Sequence, residues 1–145
     1  MSKTLKIISP LAVYLPRMTM KNKKQILNLN NTRMKHYMVY NQCKKIHARA
    51  IENYLIDSSF GWDTMSEEYY FNNPVNVTFQ YFKPTKRKCD KANVYAVHSK
   101  FVYDTLTDLG IWEDDNDEQI KEELLLPTIY DKANPRVEFN FTEIF

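Results

Sequence analysis

Residues 75–117 read VNVTFQYFKPTKRKCDKANVYAVHSKFVYDTLTDLGIWEDDND, and three kinds of local order follow one another in them. Val75, Val77, Phe79 and Tyr81 alternate with Asn76, Thr78 and Gln80, the period-2 pattern of a strand with one buried face over 75–82. Lys83-Pro84-Thr85-Lys86-Arg87-Lys88 is a basic loop. A helix is expected over 92–109, with Val94, Val97, Phe101, Val102 and Leu109 on its buried side, Asp90 just before it and Gly110 as the residue that stops it. The acidic cluster Asp114, Asp115 and Asp117 follows at once. A helix reversed at Gly110 is expected to bring Asp90 and this cluster together, and carboxylates gathered against their own repulsion usually hold a hard cation such as Mg2+.

Working outward, residues 5–15 are apolar and β-branched enough for a first strand, with Pro10 placing it at an edge or a bulge. Residues 18–36 are polar, Asn-rich and basic, which predicts an irregular loop or a short ribbon. Tyr40, Cys43, Ile46, Ala50 and Ile51 recur at helical spacing, so a helix is expected from about Tyr37 to Ile56, with Lys44, Lys45 and Arg49 outside its stripe. Residues 57–74 combine turn formers and aromatics and read as a connection with its own small packing cluster. LLLPTIYDK and PRVEFNFTEIF read as two strands joined at Ala133-Asn134-Pro135 in a hairpin. The expected fold is α+β, one domain over 1–145, with a mixed sheet of about four strands and two main helices.

Charge is divided along the chain although the net value is only +2. Residues 1–51 hold eleven Lys or Arg and no acid, leaving nine bases and eighteen acids for the remaining 94 residues. A basic half that attracts phosphate, joined to carboxylates able to hold a metal, fits an enzyme acting on nucleic acid. A solvated basic face beside an acidic turn gives the same charge pattern. An apolar content of 43% argues against disorder. No apolar run approaches the roughly 20 residues needed to cross a bilayer, and the first residues lack a secretory cleavage site, so an intracellular, cytoplasmic protein without membrane partners is expected. Cys43 and Cys89 form neither a disulfide framework nor a zinc ribbon.

From the strand at Val75 onward the sequence resembles the RusA family of Holliday junction resolvases of bacteria and their phages. The family pattern runs strand, basic stretch, D-x-D-N, a helix bearing a Lys, D-x-L, then G-x-x-x-D-D and an apolar strand. Here Asp90 matches the first Asp, Asn93 the Asn, Lys100 the helix Lys, Asp104-Thr105-Leu106 the D-x-L, and Asp114 and Asp115 the terminal pair. The match covers about residues 75–130; Leu29–His36 and Lys44–Ile51 look like the family's Asn- and Arg-bearing loop and first helix. Two positions depart from it. Ala92 stands where the family has its second Asp, and the interval from Asn93 to Lys100 is four residues longer, which rotates Lys100 by roughly 40° in register.

The resemblance implies a homodimeric endodeoxyribonuclease, dependent on Mg2+ (or Mn2+), that resolves four-way DNA junctions in recombination, repair or phage DNA processing within a bacterial or phage-infected cell. Its metal would be held by Asp90, Asp114 and Asp115, with Asp117 substituting for the carboxylate missing at Ala92. His98 and Asn93 are weaker candidate ligands. Lys100 would face the scissile phosphate. Lys86, Arg87, Lys88 and Lys91 would position backbone phosphates beside Asp90, and Arg17, Lys21, Lys23, Lys24, Arg33 and Lys35 would reach over the duplex arms. The same residues also have plainer readings. Asp90 is a good N-cap, the acidic run fits a solvated turn, His98 suits packing, and Trp62, Tyr69, Tyr70 and Phe71 fit a core as well as a base-stacking surface. A branched-DNA-binding protein that has lost cleavage, and an accessory protein binding through its acidic face, are the competing functions.

Overall fold

A computed structural model describes residues 3–15, 23–28, 31, 37–57 and 69–145. Its elements are β1 (Thr4–Ser9), β2 (Ala12–Leu15), β3 (Lys23–Ile26), α1 (Tyr37–Asp57), β4 (Val75–Lys83), α2 (Lys91–Asp108), β5 (Ile120–Leu125), β6 (Ile129–Tyr130) and β7 (Arg136–Glu143). The α+β class and the two main helices are as expected, but the mixed sheet has five strands, in the order β1-β7-β4-β5, with β6 also on β4.

β4 is the centre of that sheet. Val75, Val77 and Phe79 are buried on one face, beside Val137, Phe139 and Phe141 of β7 and Leu5 and Ile7 of β1. Ile51 and Leu55 of α1 and Val94, Val102, Tyr103 and Leu106 of α2 complete the main core on the same face. Thr4, Lys6, Asn140 and Thr142 lie exposed on the other face. β1 and the first part of β4 thus show the two-residue alternation of a sheet covered on one side, while β7 also buries Glu138, which Arg136 pairs with.

β5 pairs parallel to β4, from Val75 opposite Ile120 to Phe79 opposite Leu125. Parallel neighbours need a crossover, and α2 is that crossover. Its N-terminus lies at the far end of β4, where the Lys91 ammonium donates to the Leu126 carbonyl at 2.9 Å. Its C-terminus returns to the start of β4, where Val75 N–H donates to the Gln119 carbonyl at 2.7 Å. The two ends of α2 thus mark opposite ends of the sheet.

The hairpin expected over 124–145 does not form. Pro127 has no N–H to give a ladder, and the apolar run divides there into β5 and the two-residue β6, both parallel to β4. The chain then rounds the end of β4 through Asp131–Pro135 and returns as β7 along β4's other side, antiparallel. Arg136 holds this corner: its guanidinium pairs with Asp131 and Glu138, both at 3.0 Å, and stacks 3.8 Å over the Phe82 ring. A loop that must pass around a central strand cannot be told from a tight turn by composition alone.

The apolar stretch 5–15 is two strands. Beyond Pro10 the chain leaves the main sheet, and β2 pairs with β3 in a separate antiparallel ribbon, in register from Ala12–Ile26 to Leu15–Lys23. Residues 18–36, expected as an irregular loop or a short ribbon, supply only β3 of it; β2 comes from the stretch expected as the first strand, and most of 18–36 lies outside the described residues. Val13, Leu15 and Leu27 pack on Cys43 of α1 and Val97 and Phe101 of α2 as a second, smaller core. The packing cluster expected in 57–74 lies largely outside the described residues, but Phe71 is fully buried in the main core.

α2 ends through backbone geometry set by Gly110. Gly110 has φ +73°, its N–H donates to the Thr107 carbonyl at 3.1 Å, and Ile111 N–H donates to the Leu106 carbonyl at 3.0 Å. These paired bonds are the Schellman arrangement, which needs a left-handed residue. No atom lies within 4 Å of where a Cβ would stand, so Gly110→Ala is expected to cost only the backbone strain, about 1–2 kcal/mol. Urea unfolding would check this, and an unchanged stability would contradict it.

Candidate functional site

Lys100 and Asp104 stand one turn apart on α2, the spacing that brings helical side chains together. The Lys100 ammonium is 3.2 Å from Asp104 Oδ2, and Lys44 of α1 reaches the same oxygen at 2.6 Å. Burial raises the Asp104 pKa, but the two lysines outweigh it and hold the carboxyl below its usual range. Lys100 is held above its usual value, first by its bond to Asp104 and further by the charges of Asp104 and Asp115.

The turn after α2 brings more carboxylates to this place. Ile111 and Trp112 are buried, and the Trp112 indole N–H donates to Thr107 Oγ1 at 2.8 Å, so the turn is pinned to the last turn of the helix. Asp115 follows at a half-buried position, its N–H donating to Asp114 Oδ1 at 2.9 Å. Its carboxyl is raised, by burial first, then by contact with Asp114 and the negative charges of Asp104 and Asp114. Asn116 Oδ1 accepts from the Glu118 and Gln119 N–H groups, both at 3.1 Å, closing the turn before β5. Asp117 lies on its exposed side. Asp114, Asn116 and Gln119 also line a shallow open pocket with Asn72 and Asn73.

Asp90 does not join this group. Its carboxylate accepts from Ala92 N–H at 3.1 Å, as the N-cap of α2. The fourteen residues from Asp90 to Asp104 span roughly 20 Å along the helix axis. The expectation that the Gly110 reversal unites Asp90 with Asp114 and Asp115 is corrected on this ground. Gly110 turns the chain toward β5, while Asp90 remains at the opposite end of the helix. Asp104, the first residue of the D-x-L motif, is the carboxylate that takes its place, and its four-residue spacing from Lys100 is the sequence signal for it.

Among the described residues, no group of three or more His, Cys, Asp or Glu side chains forms a ready-made metal site. The donor chemistry that fits a hard divalent cation is the crowding of Asp114 and Asp115 near Asp104, because a cation relieves the repulsion that raises Asp115.

The basic residues divide between two places. Lys23 and Lys24 are exposed on the ribbon, while Lys86, Arg87 and Lys88 are exposed in the loop before Asp90, at the end of α2 away from Asp115. Lys86 lies 5.5 Å from the Tyr130 ring centroid, and Lys91 is bound to the Leu126 carbonyl, which makes it a support for the fold. Arg17, Lys21, Arg33, Lys35 and Trp62 lie outside the described residues. Lys44 and Lys100, which face the carboxylates, are the bases nearest the candidate chemistry.

His98 is no surface ligand. It is fully buried, and its Nδ1 lies 2.6 Å from Ser9 Oγ, which is also 2.7 Å from His47 Nε2. Cys89 is exposed in the loop before α2, so the two share no nucleophilic arrangement. A second polar cluster joins Tyr95 and Tyr103 to Glu123 Oε1 on β5, the Tyr103 bond measuring 2.8 Å. Burial and these bonds push both phenols above their ordinary range.

Compared with known proteins, the chain matches no family model and no curated sequence. Among the described residues, no helix is long and apolar enough to cross a membrane.

Proposed function

We propose that this chain is a metal-dependent endonuclease acting on branched DNA, of the four-way-junction type that its RusA-like motifs suggest. The observation that carries the reading is the meeting of Lys44, Lys100 and Asp104 with the Asp114–Asp115 turn. Lysines and crowded carboxylates at one place suit phosphodiester hydrolysis, in which a phosphate must be bound and negative charge compensated. Asp114 and Asp115 are the residues that would hold Mg2+ or Mn2+, with Asp104 joining as its lysines turn to a DNA phosphate. The bound cation would supply an activated water and charge compensation on phosphorus oxygens. Lys100 and Lys44 then orient the scissile phosphate, while Lys23, Lys24 and Lys86–Lys88 hold duplex arms farther out. A homodimer working on DNA in recombination, repair or phage DNA processing, in the cytoplasm of a bacterial or infected cell, accords with this reading, since two symmetric nicks call for two sites.

A second reading, branched-DNA binding without cleavage, draws on one specific observation. Asp90, which matches the first family Asp, caps a helix, and Ala92 stands where the family has its second Asp. Incubating the protein with a synthetic four-way junction and a matched linear duplex separates the two. The expected result is paired nicking of the junction in Mg2+ or Mn2+ and none in EDTA. Binding of the junction without nicking in either metal would leave only the second reading standing.

A further inference from the structure

The β2–β3 ribbon has an inward face and an outward face, and the residues divide sharply between them. Val13, Leu15 and Leu27 are buried against α1 and α2, Gln25 opposite Val13 is buried as well, and the Leu27 N–H donates to the Leu11 carbonyl at 2.9 Å, closing the ribbon at its base. Tyr14 and Ile26, by contrast, are 55% and 49% exposed. Tyr14 stands directly opposite Lys24, and Ile26 opposite Ala12, so the outward face carries an aromatic ring and an ammonium as cross-strand neighbours, with Ile26 next along the strand. Burial of the inner face gives the ring a firm support. The helix segments beneath include Val39, Tyr40 and Val97, close in sequence to Lys44 and Lys100.

We infer that this outward face is a stacking platform for unpaired bases, with Tyr14 as the aromatic surface and Lys24 as the contact for the adjoining phosphate. The occupant follows from the chemistry. β2, β3 and α1 up to Ile51 carry no acid, and Lys23 and Lys24 are both exposed on the ribbon, so this face favours a polyanion. An exposed ring beside an ammonium matches a ligand that alternates flat π-faces with phosphates, as single-stranded nucleic acid and the open centre of a junction do. This inference rests on the nucleic-acid reading above and adds to it the chemical feature that is recognised.

The test measures binding in EDTA, so that cleavage plays no part. Fluorescence anisotropy would compare wild type, Tyr14→Phe, Tyr14→Ala and Lys24→Ala on a labelled oligothymidylate, a four-way junction and a blunt linear duplex. Tyr14→Ala is expected to weaken binding to oligothymidylate and junction roughly five- to hundredfold, the range one stacked base is worth, while Tyr14→Phe stays near wild type and the duplex is little affected. Lys24→Ala is expected to reduce the salt dependence by about one phosphate contact on all three. Equal loss on the duplex, or no loss for Tyr14→Ala where the wild type binds, would overturn the stacking platform and leave the nuclease reading intact. A wild type that binds none of the three would overturn both. Tyr14 is exposed, so the circular dichroism and melting of the variants should match wild type.

Discussion

Asp115→Asn is expected to reduce junction nicking in Mg2+ by more than ~100-fold while junction binding in EDTA persists, and Asp90→Asn is expected to nick like the wild type. Removing even a group that only orients a metal ligand typically lowers activity or metal affinity ~10–100-fold, and a direct ligand is worth more. Asp115 is the carboxylate whose pKa is raised by burial and by its neighbours Asp114 and Asp104, so its anionic form is the one a cation would favour most. Asp90 has a different task. Its carboxylate caps α2 through the Ala92 N–H, and Asn caps a helix about as well as Asp. The pair of variants therefore separates the arrangement around Asp104 from the one suggested by motif order, in which Asp90 is a ligand and both changes abolish cleavage. Quantified nicking of a labelled junction at several Mg2+ concentrations is the measurement. Loss of activity in Asp90→Asn with unchanged folding would place the catalytic centre at the other end of the helix.

That contrast shows what the sequence could and could not convey. The period-2 run at Val75–Phe82, the helical stripe from Tyr40 to Ile51 and the Gly110 stop were legible because each follows from neighbouring residues. The direction of β5 was not. A parallel strand puts the acidic turn at the start of β4 and Asp90 at its end, whichever edge of β4 the chain joins, because α2 runs back along the strand. β7 passing to β4's opposite side was hidden as well, since Asp131–Pro135 has the composition of a simple turn. Lys100 and Asp104 could be paired by their four-residue spacing, but the approach of Lys44 depends on how α1 crosses α2. His98 looked ambiguous because its partners, Ser9 and His47, are remote in sequence and meet only when β1, α1 and α2 pack together.

That buried group carries the largest expected effect on stability. Ser9, His47 and His98 are all inaccessible to solvent, and the serine hydroxyl has one proton, so it can donate to only one imidazole and at least one of the two ring nitrogens facing it donates to it. Burial is what holds both rings neutral, since neither charge would be solvated there. Burial lowers His47 to about 3, and burial followed by the charge of His47 lowers His98 well below its usual value, the nearby backbone of Leu27 pulling the other way. Among the described residues, the Phe101 ring lies 5.4 Å from His47 and the His47 ring 5.9 Å from His98, and no carboxylate contributes to either shift. Because the folded values lie below the unfolded value of 6.5, the unfolded chain binds more protons below that pH. Stability is therefore fully present above pH 6.5 and falls as the pH drops toward the folded values, by about 1.4 kcal/mol per pH unit for each histidine. Asp104 and Asp131 have lowered values and withdraw their contributions only below the ordinary carboxylate pKa, while the raised Asp115 acts in the opposite sense, so among the described residues the decline between pH 6 and 5 belongs to the histidine pair. Ser9→Ala removes the shared partner and leaves two imidazole nitrogens buried without one, at an expected cost of about 2–4 kcal/mol. Urea unfolding of wild type and Ser9→Ala at pH 7.5, 6 and 5 measures both effects. A stability that stays level from pH 7.5 to 5 would mean that the two rings reach water or an acid in solution, and a Ser9→Ala protein as stable as wild type would mean that the hydroxyl does not bridge them.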